Sequence, residues 1–113
     1  MHEYSIVQSL LASVTATAQA HGATAVQRVQ VRIGELAGVD PGLLVSAFEM
    51  CRVATVCAEA VLEVETVAAQ WQCGACGRVI VAGEVLRCPA CGAVARLAGG
   101  DEIILERVEL EVP

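Results

Sequence analysis

Two C-x2-C pairs separated by eleven residues constrain this chain more than any other feature: Cys73-Gly74-Ala75-Cys76 and Cys88-Pro89-Ala90-Cys91. Two residues between cysteines allow a tight turn to aim both sulfurs at one ion. Gly77 and Gly92 follow the pairs and supply the left-handed backbone that such turns use. Two of these knuckles complete a tetrahedral thiolate set, the coordination of closed, structural zinc sites. A closed set has no position for substrate or activated water, so its role is folding. A segment of roughly thirty residues with little core cannot fold alone, and zinc contributes about 10–16 kcal/mol in comparable small units. Iron in a rubredoxin-like or iron–sulfur site uses the same ligands and stays open on spacing alone. A redox dithiol fits less well, because that chemistry needs one pair beside a βαβ unit, not two knuckles.

The other two cysteines, Cys51 and Cys57, lie in an apolar stretch and read as buried free thiols. Six cysteines then describe metal binding in a reducing compartment, not a disulfide framework. The start, MHEYSIVQSLL, has no basic stretch before its apolar residues and no evident cleavage site, so a cytoplasmic location is expected. No apolar run approaches the roughly 18 residues that span a bilayer. The net charge is −6, with no lysine and seven scattered arginines. Such a balance argues against nonspecific binding to nucleic acid or to an anionic membrane. The charge is uneven: residues 70–99 carry +2 and the remainder −8, a split that suggests two modules.

Hydrophobic spacing fills in the rest. Val7, Leu10, Leu11, Val14 and Ala18 predict an amphipathic helix over 4–20, stopped by Gly22. Residues 26–34 alternate Val29, Val31 and Ile33 with Arg28, Gln30 and Arg32, as a strand with one buried face does. Asp40-Pro41 starts a second helix, with Asp40 as N-cap, running to about Val56 and burying Leu43, Leu44, Ala47 and Cys51. A second strand is expected over 60–67. A third is expected over 102–112, with Ile104, Val108, Leu110 and Val112 on its apolar face. That last strand is too long and too apolar on one face to stand alone, so it is expected to return to the first sheet. The reading is α+β: two helices on a three-stranded sheet from residues 1–68 plus 100–113, with a zinc-ribbon-like module inserted over 69–99.

The amino terminus is the second place where metal chemistry is legible. A free terminal amine, the amide nitrogen of residue 2 and the imidazole of His2 can close fused chelate rings around a square-planar ion, nickel(II) or copper(II). Free copper is scarce in a cytoplasm, so nickel is the better fit. His21, near the end of the first helix, suits the helix dipole and reads as structural.

The opening MHEYSIVQSLL, the GELAGVDP stretch and the paired C-x2-C motifs with a closing acidic strand resemble the HypA/HybF family of hydrogenase nickel-maturation chaperones. The resemblance runs over essentially the whole chain, with the motifs in order. It implies a non-enzymatic nickel metallochaperone that delivers Ni(II) to the large subunit of a [NiFe] hydrogenase, with a HypB-like GTPase as partner. It also implies His2 as the principal nickel ligand, aided by the Met1 amine, with Glu3 tuning or joining the site and Asp40 placed near the nickel. Many relatives carry a histidine beside a zinc knuckle, and residues 70–99 hold none. An alternative function is a zinc-ribbon adaptor that bridges maturation partners without carrying metal. Exchange of the module through its linkers would give a homodimer. Catalysis is not expected, since the chain has no P-loop, no Ser-His-Asp arrangement and too few histidines for an open catalytic zinc.

Overall fold

The computed structural model describes residues 2–81 and 85–113. The chain runs α1 (His2–Ala20), β1 (Ala25–Gly34), α2 (Pro41–Cys51), β2 (Val61–Val67), β3 (Gln70–Cys73), β4 (Val79–Ile80), β5 (Ala95–Gly99) and β6 (Ile103–Glu111). Two three-stranded sheets result. One has the order β2-β1-β6, the other β4-β3-β5. The α+β architecture expected from the sequence holds, and the chain returns from the second sheet to lay β6 antiparallel against β1.

β1 is the centre of the larger sheet. It pairs parallel with β2 and antiparallel with β6. Its alternation does what the sequence predicts: Val29, Val31 and Ile33 are buried under the helices, and Arg28, Gln30 and Arg32 face outward. Val26 is buried too, although it is out of phase with these three. A register shift between Val26 and Arg28 turns the chain by one residue and restores it to the inner face. The outer face is a ladder of ion pairs. Arg28 lies 3.6 Å from Glu63 and 3.7 Å from Glu109, and Arg32 lies 3.8 Å from Glu106.

Helix α1 covers the inner face with the residues its spacing predicted: Val7, Leu10, Leu11, Val14 and Ala18 are all buried. It begins at His2, two residues earlier than the hydrophobic spacing indicates. Glu3 explains the extension, because an acidic side chain in the first turn complements the helix dipole.

Helix α2 departs from expectation at its end and in its phase. It stops at Cys51, where the Arg52 amide N–H bonds the Phe48 carbonyl and a run of turns follows. Its buried residues are Leu44 and Phe48, while Leu43 is 57% exposed. Two adjacent leucines left the phase of this helix ambiguous, and the four-residue step from Leu44 to Phe48 settles it. Cys51 is half-buried, not fully so; Cys57 is buried, which pushes its thiol pKa up.

β6 carries a similar correction. Ile104 pairs opposite Arg32 on the outer face and is 43% exposed, and Val112 lies beyond the strand. A second register shift, where Gln30 faces Arg107 but Val31 faces Leu105, leaves Glu106 unpaired. The inner-face residues are therefore Ile103, Leu105, Val108 and Leu110, opposite Ile33, Val31, Val29 and Val26.

Candidate metal centre

The second sheet exists to present the cysteines. β3 ends on Cys73, and the following turn carries Cys76. The second pair lies in the loop closed by the isolated bridge between Arg87 and Val94. Both knuckles close the same way. Gly77 N–H donates to the Cys73 carbonyl at 3.1 Å, and Gly92 N–H to the Cys88 carbonyl at 2.9 Å. Gly77 and Gly92 have φ of 75° and 74°, as the knuckle turns require.

All four sulfurs lie within 4.8 Å of one another. Cys73 Sγ is 3.3 Å from Cys91 Sγ, and Cys76 Sγ is 3.7 Å from Cys88 Sγ. These are not disulfides, whose sulfurs bond at about 2.05 Å. Zinc–sulfur bonds of about 2.3 Å at tetrahedral angles separate sulfurs by about 3.8 Å, so the set fits one such ion. Cys73 and Cys88 are buried, and Cys76 and Cys91 face solvent.

The backbone prepares these thiols for metal. Ala75 and Cys76 each donate an N–H to Cys73 Sγ at 3.3 Å. The Cys76 amide, followed by that of Ala75, draws the Cys73 pKa down to about 6. Cys88 is lowered chiefly by the Cys91 amide. At Cys91 the Ala93 amide favours the thiolate, but the sulfurs of Cys73 and Cys88 oppose it and leave the group pushed up to about 11. Four sulfurs this close cannot all ionise cheaply without a cation among them, which is the condition a thiolate-bound metal satisfies.

His2 and Glu3 sit in the first turn of α1, and His2 lines a groove with Ile103 at the start of β6. The first amide N–H groups of a helix have no intrahelical backbone partner, and the Glu3 carboxylate engages its own amide here. The His2 side chain is exposed. Glu3 Oε2 accepts the Asp40 N–H at 3.2 Å, and that bond, with the Glu3 amide, holds its carboxyl below the ordinary range. Asp40 Oδ1 accepts the Leu43 N–H at 3.1 Å and is the N-cap of α2, as Asp40-Pro41 suggested. The structure therefore joins Glu3 to Asp40 directly. Among the described residues, the cysteine set is the only group of three or more His, Cys, Asp or Glu donors close enough to share an ion. Met1, the other amino-terminal ligand candidate, lies outside the described residues. His21 is exposed in the turn after α1.

The amino terminus is also linked to the crossings between the sheets. The loop from Gly34 to Asp40 is tied to both chain crossings between the sheets. Glu35 N–H donates to the Val67 carbonyl at 2.7 Å, and Leu36 N–H to the Gly100 carbonyl at 2.8 Å. The crossing is tight: a Cβ on Gly100, whose φ is 93°, would come within 2.5 Å of Ala69 Cα. The same loop thus reaches from the base of the cysteine sheet to the carboxylate of Glu3.

A two-helix α+β fold with an inserted set of four clustered cysteines defines a small metal-binding protein. The family described as hydrogenase/urease nickel incorporation, metallochaperone, HypA, matches residues 1–110, and the chain belongs to this family. It is 40% identical over 114 residues to the hydrogenase maturation factor HypA of Wolinella succinogenes, covering 98% of this chain and 96% of that one. It is 39% identical over 114 residues to the factor of the same name from Aquifex aeolicus, with 99% of each chain covered. The solution structure of the Ni metallochaperone HypA from Helicobacter pylori superposes with a TM-score of 0.76 at 32% identity, over 98% of both chains. No described helix is long and apolar enough to cross a membrane.

Proposed function

We propose that this chain, a nickel metallochaperone of hydrogenase maturation, holds its two metals at two separate sites. Nickel(II), the cargo, is held at the amino terminus by His2, the Met1 amine and backbone nitrogens, with Glu3 and Asp40 as neighbours of the site. Zinc(II), the resident ion, is held by Cys73, Cys76, Cys88 and Cys91. Residues 1–68 with 100–113 form the nickel-carrying domain, and 69–99 the zinc module. The observation that carries the reading is the pairing of two unlike donor sets in one chain of this family: four clustered sulfurs, and an exposed histidine in a helix turn whose amide N–H groups have no helical backbone partner.

The chemistry suits a carrier. A nitrogen-rich, square-planar set favours nickel(II) over the ions that prefer tetrahedral or octahedral oxygen sites. Being exposed, it exchanges ligands with an incoming acceptor more readily than four thiolates would. Binding displaces protons from the amine and imidazole, so affinity falls as the pH falls. The partners this reading assigns are a HypB-like GTPase and the large subunit of a [NiFe] hydrogenase, and six thiols without a disulfide suit the reducing cytoplasm where those proteins act. The test is a variant whose Met1 amine is acetylated, which removes that nitrogen from the chelate with His2. Loss of nickel binding with zinc retained is expected. Full nickel binding by that variant would refute the amino-terminal site.

A further inference from the structure

The helices cover β6 less completely than β1. Val29, Val31 and Ile33 of β1 are at most 1% exposed. The β6 residues opposite them, Val108, Leu105 and Ile103, are only partly covered, and Ile103 is 40% exposed. Among the described residues β6 is also an edge of its sheet, so one row of its backbone N–H and C=O groups has no described strand beside it. Next to that edge runs an open groove of about 500 Å³, lined by His2, Ile6, Ser9 and Ser13 of α1 and by Ile103 and Leu105 of β6. Serine hydroxyls thus alternate with Ile6 and Leu10 on the helix side, and the strand side is apolar. β6 itself carries Glu106, Glu109 and Glu111 against the single Arg107, with Glu102 just ahead of the strand.

We propose that β6 takes up an additional strand from another protein. The segment is extended and alternates apolar with basic side chains. Its apolar side completes the cover over Ile103 and Leu105 in the groove, and its basic side meets the excess carboxylates of β6. Main-chain hydrogen bonds hold the strand, and the alternating environments select it. The donor of the strand is the protein that exchanges nickel with this chain, because the groove ends on His2. That last assignment rests on the amino-terminal nickel reading; the uptake of a strand does not.

The probe is a roughly eight-residue peptide of alternating valine and arginine, blocked at both ends, added to the full zinc-bound chain and followed by amide hydrogen exchange. Saturable slowing of exchange in β6, without slowing in β2, is expected. Ser9→Trp fills the groove from an exposed helix position, and it weakens binding by about tenfold or more, as does N-methylation of alternate peptide amides or replacement of arginine by glutamate. Gln8→Trp, exposed on α1 outside the groove, leaves binding unchanged. Absence of slowing at millimolar peptide, equal binding by Ser9→Trp, equal binding of the N-methylated peptide, or slowing at β2 instead overturns the proposal. So does sedimentation showing that a second copy of the chain already occupies β6. A parallel nickel titration of His2→Ala keeps the two readings apart: nickel retained there, with β6 still protected, removes the nickel exchanger as occupant and leaves strand uptake standing.

Discussion

Among the described residues, the helix-covered sheet buries fourteen side chains in one core, whereas the cysteine sheet buries three, Cys73, Ile80 and Cys88. Two of those three belong to the sulfur set, so most of the buried material in the module is metal ligand. The first region is stable because Val, Leu, Ile and Phe leave water, each fully buried side chain contributing about 1.5–3 kcal/mol. The second has too little apolar surface to offset the entropy of ordering its backbone. The comparison teaches that one short chain uses two sources of stability, and that they should fail separately.

The largest expected effect comes from removing the ion or one ligand. Cys73→Ser, or strong chelation, withdraws a contribution of about 10–16 kcal/mol from a module that has no other comparable source. Amide signals of 70–99 should collapse to unfolded positions while β1 and α1 keep theirs. Simultaneous loss of both sheets would break the comparison. The converse is Phe48→Ala. Phe48 is fully buried at the centre of the larger core, and its truncation should cost about 3–5 kcal/mol in denaturant unfolding without changing zinc content.

Smaller effects sharpen the boundary between the regions. Asp40→Ala removes the cap of α2 and should cost about 1 kcal/mol. The same variant keeps the backbone N–H that Glu3 uses, so the contact at the amino terminus survives. The smallest effect is on pH dependence. The folded pKa of Glu3 lies below its ordinary value, so its contribution is complete above the ordinary carboxylate range. That contribution is lost as pH falls through the lowered value. Glu3→Gln should flatten acid unfolding slightly in that window and nowhere else, as read by the pH dependence of the unfolding midpoint.

What could be read from the sequence divides along physical lines. The knuckles were legible because each is a local motif whose glycines and spacing are dictated by a turn. The α1 core face and the β1 alternation were legible because period and burial agree over many residues. In β6, Val108 and Leu110 were placed on the correct face, but Ile104 was not, because the bulge at Glu106 shifts the pleat by one, and a bulge depends on the partner strand. The phase of α2 was hidden by Leu43 and Leu44 standing side by side. β3, β4 and β5 are too short to show a period at all. At the amino terminus, His2 and Glu3 stood out by residue type. The bond from the Asp40 amide to Glu3 could not be read, because it joins positions 37 residues apart through the fold.

The central claim is the division of metals between the amino terminus and the four cysteines. It is tested most directly by measuring zinc and nickel per chain in one titration series on the untagged wild type, His2→Ala and Cys73→Ser. The account predicts one zinc and one nickel on the wild type, zinc without nickel on His2→Ala, and nickel without zinc on Cys73→Ser. Nickel held at full affinity by His2→Ala, or lost together with zinc from Cys73→Ser, would contradict it.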